Sequence, residues 1–333
     1  ALYDDELRDK MLREQALTEI METALKEEQF QVYLQPKYKV EGELLAGAEA
    51  LVRWQHPELG FISPGDFIPL FEKNGFITQL DMYIWDKTCQ ILKGWEQKGY
   101  PVIPVSVNVS RADIYQMDLV DTMEHLVRKY ELNPAMLHLE ITESAYTENA
   151  SQILSTVDEL RRKGFVIEMD DFGSGYSSLN MLNQMKIDIL KLDMKFIQSE
   201  IVKPVEQGIL RFIIGLAKWM GLCVIAEGVE TREQLERLKE IGCDYVQGYF
   251  FSKPVPVAAF EDLLQKAPVQ AMETNRSLLC DDLHTQRILL VDEEPDYRKM
   301  VHRIFDGQFE VEEALCAEEV LEQMQKHKRG FSV

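Results

Sequence analysis

Short apolar runs alternate with amphipathic helical patterns along most of the chain. The runs are rich in β-branched residues and end at polar or turn residues, which is typical of strands, whereas apolar positions three or four residues apart predict helices. The predicted strands are residues 30–40, 44–54, 102–110, 137–143, 166–172, 187–192, 222–227 and 245–251. The predicted helices are residues 4–29, 81–98, 119–130, 150–163, 206–220, 232–241 and 257–265. This alternation favours an α/β fold.

Eight strands separated by helices predict a modified (β/α)8 TIM-type barrel rather than an open doubly wound sheet. The strands and helices extend over roughly 250 residues, which is the usual size of such a barrel. The modification lies at its start, where the first two strands are joined only by Glu41-Gly42-Glu43. So short a connection predicts a hairpin, and one barrel strand should therefore run antiparallel to the others.

A polar side chain follows or ends nearly every predicted strand. These residues are Glu49, Asn108, Glu140, Asp170, Asp171, Lys191, Glu227 and Gln247. The carboxyl ends of barrel strands meet at one face, where the chemistry of this fold is found, so we expect these side chains to converge there. Any one of them alone would more often be a surface or turn feature, and only their repetition favours a functional site.

Five of these residues are carboxylates, and Lys191 offsets only one of their negative charges. Such a cluster cannot stay ionised without cations, and two divalent ions would cancel the remaining charge. Oxygen donors suit Mg²⁺ or Mn²⁺ rather than zinc. The adjacent pair Asp170 and Asp171 is suited to lie between two ions, an arrangement used for in-line phosphoryl displacement.

The formal net charge of −21 argues against a nucleic-acid polymer as the partner, because binding a phosphate backbone needs a basic surface. The five cysteines are widely spaced and lack a CxxC pair, so we expect free thiols in a reducing, cytoplasmic compartment. The longest apolar stretch, residues 208–229, contains Arg211 and Lys218 and does not predict a membrane span. Helical periodicity from the first residues indicates a piece of a longer protein, whose parent could be attached to a membrane.

A set of longer motifs extends this interpretation. In chain order the motifs are YLQPKY, EALVRW, HPELGFISPGDFIPLFEKNGFI, VNVS, LEITES, DDFGSGYSSL, KLD, AEGVE and QGYFFSKP. Through them, residues 20–264 resemble the EAL-domain family of cyclic-di-GMP phosphodiesterases. The resemblance implies the modified barrel and hydrolysis of one phosphodiester of cyclic-di-GMP to linear pGpG. It also implies two divalent cations, Mg²⁺ or Mn²⁺, and inhibition by Ca²⁺, whose larger coordination shell would misplace the nucleophile.

The resemblance gives each matching position a role. The implied metal-site residues are Glu49, Asn108, Glu140, Asp170, Asp171, Glu227 and Gln247. Lys191 matches the lysine that orients the attacking water; Asp171 and Glu227 complete the catalytic set, with Glu227 either a ligand or a base. The positions on or near the substrate are Gln35, Arg53, Asp193, Glu230 and Tyr249. Glu143 matches the residue that anchors the loop at residues 171–178.

The resemblance leaves two hypotheses for the function. The first is a metal-dependent cyclic-di-GMP phosphodiesterase. The alternative is a catalytically silent sensor that binds cyclic-di-GMP. Silent members usually lose a metal ligand, the lysine or the loop glutamate, and this chain keeps all of them, which favours the enzyme. Ser174 replaces the usual Thr, and Met185-Lys186 replaces a common Leu-Pro near the family's dimerisation surface, through which we expect a homodimer.

The sequence divides the chain into four parts. Residues 1–15 are predicted to form an interdomain linker helix resembling the exit from a GGDEF cyclase domain, so an upstream GGDEF or sensory domain is expected outside this chain. Residues 16–266 form the barrel, and residues 267–286 form a polar linker. Residues 287–333 resemble a truncated response-regulator receiver. A strand is predicted from Arg287 to its acidic pair, Asp292 and Glu293, and a helix at 296–305; a short second strand and a second helix are predicted between Glu310 and Lys326. That segment is too short to be a compact domain of its own.

Overall fold

The computed structural model describes residues 2–147, 150–172, 179–193, 206–274, 287–291 and 310–314. The chain divides into two compact units, Ala1–Thr274 and Asn275–Val333. The first unit holds the predicted barrel, and the second holds the segment predicted to resemble a receiver. In the described residues, no helix combines the length and apolar character needed to cross a membrane.

The first unit contains a closed barrel built from all eight predicted strands. They are β1 (Phe30–Lys39), β2 (Leu44–His56), β4 (Val105–Val109), β5 (Leu137–Thr142), β6 (Val166–Phe172), β7 (Ile189–Leu192), β8 (Cys223–Ala226) and β9 (Tyr245–Gln247). Two short strands, β3 (Gly60–Ile62) and β10 (Val255–Pro256), extend the sheet beyond this ring. β1 closes the ring because it pairs with both β2 and β9, antiparallel in each case. The remaining neighbours in the ring are parallel, which confirms the modified barrel.

Helices cover the outside of this ring. They are α1 (Leu2–Lys26), α2 (Pro64–Asn74), α3 (Ile77–Lys98), α4 (Arg111–Gln116), α5 (Leu119–Lys129), α6 (Ala150–Arg162), α7 (Leu179–Gln184), α8 (Glu206–Trp219), α9 (Arg232–Glu240) and α10 (Val257–Lys266). Single 3-10 turns lie at Glu41–Glu43, Pro134–Met136 and Glu143–Thr147. All seven helices predicted between residues 4 and 265 are confirmed, whereas α2, α4 and α7 were not predicted.

α2 was not predicted because it contains one proline in its first turn and another in its interior. Pro64 lies in its first turn, where the missing N–H costs nothing and the fixed φ suits the helix, but Pro69 lies inside it. Packing compensates for the interruption. Phe67 is fully buried, with its ring centroid 5.5 Å from that of Trp54 and 5.8 Å from that of Phe30. The helix is therefore held on the β1–β2 hairpin by tertiary contacts rather than by propensity.

The first compact unit includes residues on both sides of the predicted domain limits, at 15/16 and at 266. α1 is continuous across residues 15 and 16, and it buries Leu17 and Ala24. At the other end, residues beyond 266 remain bound to β2, since Met272 N–H donates to the carbonyl of Ala46 at 2.9 Å. Met272 is only 8% exposed and packs in the apolar cluster at the start of the strands. The barrel unit consequently extends to Thr274.

The second unit contains a parallel strand pair. β11 (Arg287–Val291) and β12 (Glu310–Ala314) pair in register, with Ile288 opposite Val311. Both strands were predicted, but the two predicted helices and the acidic pair Asp292 and Glu293 lie outside the described residues. A parallel pair is the arrangement found in β-α-β units. The receiver-like assignment stays a prediction.

Candidate active site

Four carboxylates, three on strands and one directly after β8, surround one lysine at the carboxyl ends of the barrel strands. Lys191 Nζ, on β7, lies 2.7 Å from Glu227 Oε1, 2.9 Å from Glu140 Oε2, 3.0 Å from Asp170 Oδ1 and 3.6 Å from Glu49 Oε2. We call these four carboxylates the acidic ring. The structure thus brings together residues that lie far apart in the sequence, from Glu49 to Glu227.

Amide side chains complete the site beside Glu49. Gln247 Nε2 donates to Glu49 Oε2 at 2.5 Å and to Gln35 Oε1 at 3.2 Å. Asn108 Nδ2 lies 3.4 Å from Glu49 Oε1, the other carboxylate oxygen. Gln247 Oε1 is buried and has no hydrogen-bond partner among the described residues. A buried acceptor of this kind is costly unless a donor or a cation satisfies it.

The pKa shifts in the acidic ring indicate that the site has too little positive charge for its four carboxylates. Burial would lower the pKa of Lys191, but Asp170, Glu140, Glu227 and Glu49 outweigh it and raise that pKa well above its ordinary value. Burial, reinforced by repulsion from Glu49, raises the pKa of Glu140 well above its ordinary value. Burial likewise raises the pKa of Glu227 to about 7. A further cation would relieve the cost of keeping these groups ionised together.

The donor set fits a hard divalent cation. Carboxylate and amide oxygens are the ligands that Mg²⁺ and Mn²⁺ prefer, and the unsatisfied Gln247 Oε1 adds a further acceptor. Among the described residues, no group of three or more His, Cys, Asp or Glu side chains is arranged so that it could hold a metal ion. The physical reason is visible in the distances, because the Lys191 ammonium occupies the centre of the acidic ring. Cation binding would require Lys191 to withdraw or the carboxylates to spread.

Asp171 sits at a distorted point of β6. The register with β7 shifts between Met169 and Phe172, and Asp171 has φ = 56°, in the left-handed region that non-glycine residues rarely adopt. Its backbone N–H donates to Asp170 Oδ1 at 2.9 Å. Local strain of this kind clusters at functional sites, where surrounding structure maintains it.

The residues predicted to contact substrate are only partly brought together. Gln35 joins the amide group described above, and half-buried Arg53 lies with its guanidinium carbon 5.8 Å from the centroid of the Tyr33 ring. Burial lowers the pKa of Arg53, and the neighbouring Tyr249 and Glu49 oppose that shift. Tyr249 is 57% exposed, which leaves its ring accessible.

The other two of these residues, and the predicted loop anchor Glu143, lie just beyond strand ends. Asp193 is half-buried after β7, and Glu230 is exposed after β8, with its backbone N–H bonded to Gln234 Oε1 at 2.7 Å. Glu143 is buried directly after β5. Most of the loop that Glu143 is predicted to anchor, residues 173–178, lies outside the described residues.

Sequence reasoning missed a second layer of charge inside the barrel. Lys37, Ser106, His138 and Glu168 are all at most 2% exposed and lie one step deeper than the acidic ring. A signal was available, because side chains two apart on a strand point to the same face. The deeper residues stand two positions from Gln35, Asn108, Glu140 and Asp170, respectively. On each of these four strands, the side that faces the barrel interior therefore carries polar residues at two successive inward positions.

Gly248 allows the backbone after Glu227 to pack closely against the end of β9. A Cβ at this position would lie 2.1 Å from the Val229 carbonyl oxygen and 2.3 Å from the Val229 nitrogen. The close approach lets the backbone after Glu227 bond to β9, with Val229 N–H donating to the Gln247 carbonyl at 3.2 Å. Only glycine fits between these two segments.

We therefore expect Gly248→Ala to destabilise the barrel by about 1–3 kcal/mol and to lower turnover, because Gln247 and Glu227 must move apart. Thermal unfolding and an activity assay would check this. Gly94→Ala is the matched control, since its Cβ meets open space in α3 and should stabilise that helix by up to about 1 kcal/mol. Equal melting temperatures for Gly248→Ala and the wild type would contradict the prediction.

Fold and site together define a TIM-type barrel with an acidic ring suited to divalent cations at the carboxyl ends of its strands. The chain belongs to the EAL domain family, which matches residues 18–254.

Named relatives agree with this assignment. The chain is 36% identical over 276 residues to the cyclic di-GMP phosphodiesterase NbdA of Pseudomonas aeruginosa, covering 83% of this chain and 35% of NbdA. It is 34% identical over 261 residues to the cyclic di-GMP phosphodiesterase PdeR of Escherichia coli, covering 78% of this chain and 39% of PdeR. The solved structure of the PaMucR phosphodiesterase in complex with c-di-GMP matches with a TM-score of 0.70 and 34% identity, covering 74% of this chain and 99% of that one. The chain spans about a third of the length of several curated relatives it matches.

Proposed function

We propose that this chain hydrolyses cyclic-di-GMP to linear pGpG. The observation that carries the proposal is the acidic ring around Lys191, with the unsatisfied Gln247 Oε1 beside it. Phosphodiesterases that act on this dinucleotide are among the relatives of the chain, and a relative's structure contains it. Water would attack one phosphorus atom, and the bond from that phosphorus to the ribose 3′ oxygen would break.

The proposed cofactors are two Mg²⁺ or Mn²⁺ ions. The residues that would hold them are Glu49, Asn108, Glu140, Asp170, Asp171, Glu227 and Gln247. When bound, such ions polarise a phosphodiester and lower the pKa of a ligated water. Their positive charge would add to that of Lys191, which lies among the four carboxylates of the acidic ring.

The chain's own residues supply orientation and charge at the reacting phosphate. Lys191 is fully buried and its ammonium already lies among the ring oxygens, so it is placed to orient water and to stabilise charge that develops on phosphoryl oxygens. Glu227, with a pKa raised to about 7 by burial, suits either a ligand or a general base. Arg53 offers a fork of donors for phosphate, and exposed Tyr249 offers a ring face for a base.

The further assignments are proposals of the same kind. Asp193 and Glu230 follow β7 and β8 and would contact the nucleotide, while Glu143 would anchor the loop after Asp171. A homodimer formed through the barrel and a cytoplasmic location are likewise proposed. An upstream GGDEF or sensory domain is proposed because the match covers only 35% of NbdA. The formal net charge of −21 remains unsuited to a nucleic-acid polymer.

Removal of divalent ions tests the proposal directly. EDTA should abolish cyclic-di-GMP turnover, and excess Mg²⁺ or Mn²⁺ should restore it. Ca²⁺ should bind without restoring turnover, because its longer bonds and variable coordination number misplace the nucleophile. Product formation is followed by chromatography, with circular dichroism as the control for folding.

Two outcomes would contradict parts of this proposal. Full turnover in EDTA would exclude the two-cation mechanism. Tight binding of cyclic-di-GMP without turnover under any of these ions would instead support the alternative, a catalytically silent sensor.

A further inference from the structure

A buried ion network lies beneath the acidic ring, centred on Lys37. Its ammonium donates to Ser106 Oγ at 2.5 Å, to Glu168 Oε2 at 2.7 Å and to Glu140 Oε1 at 2.8 Å. A lysine ammonium has three donors, so these contacts use all of them. Lys37 is 1% exposed and therefore has no access to solvent or substrate. Its place in the site is to hold other residues.

Glu168 balances the charge of Lys37 and is itself saturated. Its Oε1 accepts from Ser106 Oγ at 2.7 Å and lies 2.7 Å from His138 Nδ1, while its Oε2 accepts from Lys37. Glu168 is fully buried, and a buried charge persists only when it is paired and hydrogen-bonded. Glu168 offsets the positive charge of Lys37, so Lys37 is shared between two carboxylates and does not belong to Glu140 alone.

Glu140 connects the two layers through its two oxygens. Oε1 bonds to Lys37 at 2.8 Å below, whereas Oε2 faces Lys191 at 2.9 Å in the acidic ring. Only one oxygen is therefore directed to the rim, and rotation of the carboxylate would break the lower bond. This division gives Glu140 a fixed orientation.

We propose that Lys37 and Glu168 are positioning residues that make Glu140 a one-oxygen ligand, with Oε2 alone directed at the divalent cation. The inference rests on the proposed function, since it assigns a role towards the ion of that site. Partners that orient metal ligands typically contribute about 10- to 100-fold in metal affinity. The competing explanation is a purely structural ion pair, which would affect stability but not affinity.

The test compares Mn²⁺ binding by three variants of the full chain. Lys37→Met with Glu168→Gln removes both charges together and keeps both volumes, and Glu168→Gln alone leaves Lys37 unbalanced. Arg161→Met is the matched control, because Arg161 pairs with the buried Asp188 at 2.9 Å between other elements of the same barrel. Free Mn²⁺ is titrated by electron paramagnetic resonance without nucleotide, and melting temperature is measured alongside.

We expect both Glu168 variants to bind Mn²⁺ about 10- to 100-fold more weakly than the wild type. The double variant should lose no more melting temperature than Arg161→Met, whose Mn²⁺ affinity should equal that of the wild type. The loss of affinity would then be separated from the loss of stability. Turnover, where measured, should recover partly at high Mn²⁺ concentration.

Wild-type Mn²⁺ affinity in a folded double variant would overturn the inference and leave Lys37 and Glu168 as structural residues. Failure of both Glu168 variants to fold would also overturn it, because the network would then serve the fold rather than the orientation of Glu140. Absence of Mn²⁺ binding by the wild type would refute the proposed metal-dependent function itself. Wild-type binding and turnover together with unaffected variants would refute only this inference.

Discussion

Asp170→Asn is expected to lower cyclic-di-GMP turnover by about 1000-fold or more, the upper range for loss of one stabilising group in a reaction of this kind. Asp170 Oδ1 lies 3.0 Å from Lys191 Nζ in the acidic ring and also accepts the backbone N–H of Asp171. Asparagine keeps the shape and one acceptor but removes the charge that attracts a cation. Turnover and Mn²⁺ binding should therefore fall together, while the circular dichroism spectrum stays unchanged.

The matched control for that experiment is Asp66→Asn on the outer surface. Asp66 pairs with Arg13 at 2.8 Å, and exposed pairs of this kind contribute about 0–1 kcal/mol. Its turnover should equal that of the wild type. Retained turnover in Asp170→Asn with an intact fold would contradict the assignment of Asp170 to the cation site.

Lys191→Ala is expected to reduce turnover by about 100- to 1000-fold while cyclic-di-GMP binding remains detectable. The ammonium is buried among four carboxylates and makes its contribution where charge develops, so its loss should act on the transition state more than on the ground state. Single-turnover rates and calorimetric binding with Ca²⁺ present would separate the two effects.

Lys218→Ala provides the control, because Lys218 makes a surface ion pair with Asp244 at 3.2 Å on the outside of the barrel. It should leave both rate and affinity unchanged. If Lys191→Ala instead lowered affinity and rate by the same factor, Lys191 would be a binding residue rather than one that acts on the reaction.

Much of the fold was predictable because strand and helix periods are local. All eight barrel strands and the antiparallel start were predicted from apolar runs and from the short Glu41–Glu43 connection. Local patterns failed where tertiary contacts outweigh propensity. α2 contains Pro69 and is held by aromatic packing. β9 ends at Gln247, although the predicted strand continues to residue 251, because Gly248 packs directly on Val229.

The rim of the site could be predicted from the strand pattern alone. Polar residues at the ends of parallel strands must share one face, so the convergence of Glu49, Glu140, Asp170 and Glu227 required only the strand pattern and the barrel.

The centre of the acidic ring and the layer beneath it could not be predicted from strand patterns, because they depend on contacts across the barrel. That Lys191 contacts all four carboxylates, and that Lys37 bonds to Glu140 and Glu168, depends on strand register and on the antiparallel course of β1. A shift of one residue would turn an inward side chain to the opposite face of its strand. The alternating pattern shows which residues can point inward, but pairing across the barrel sets which of them meet.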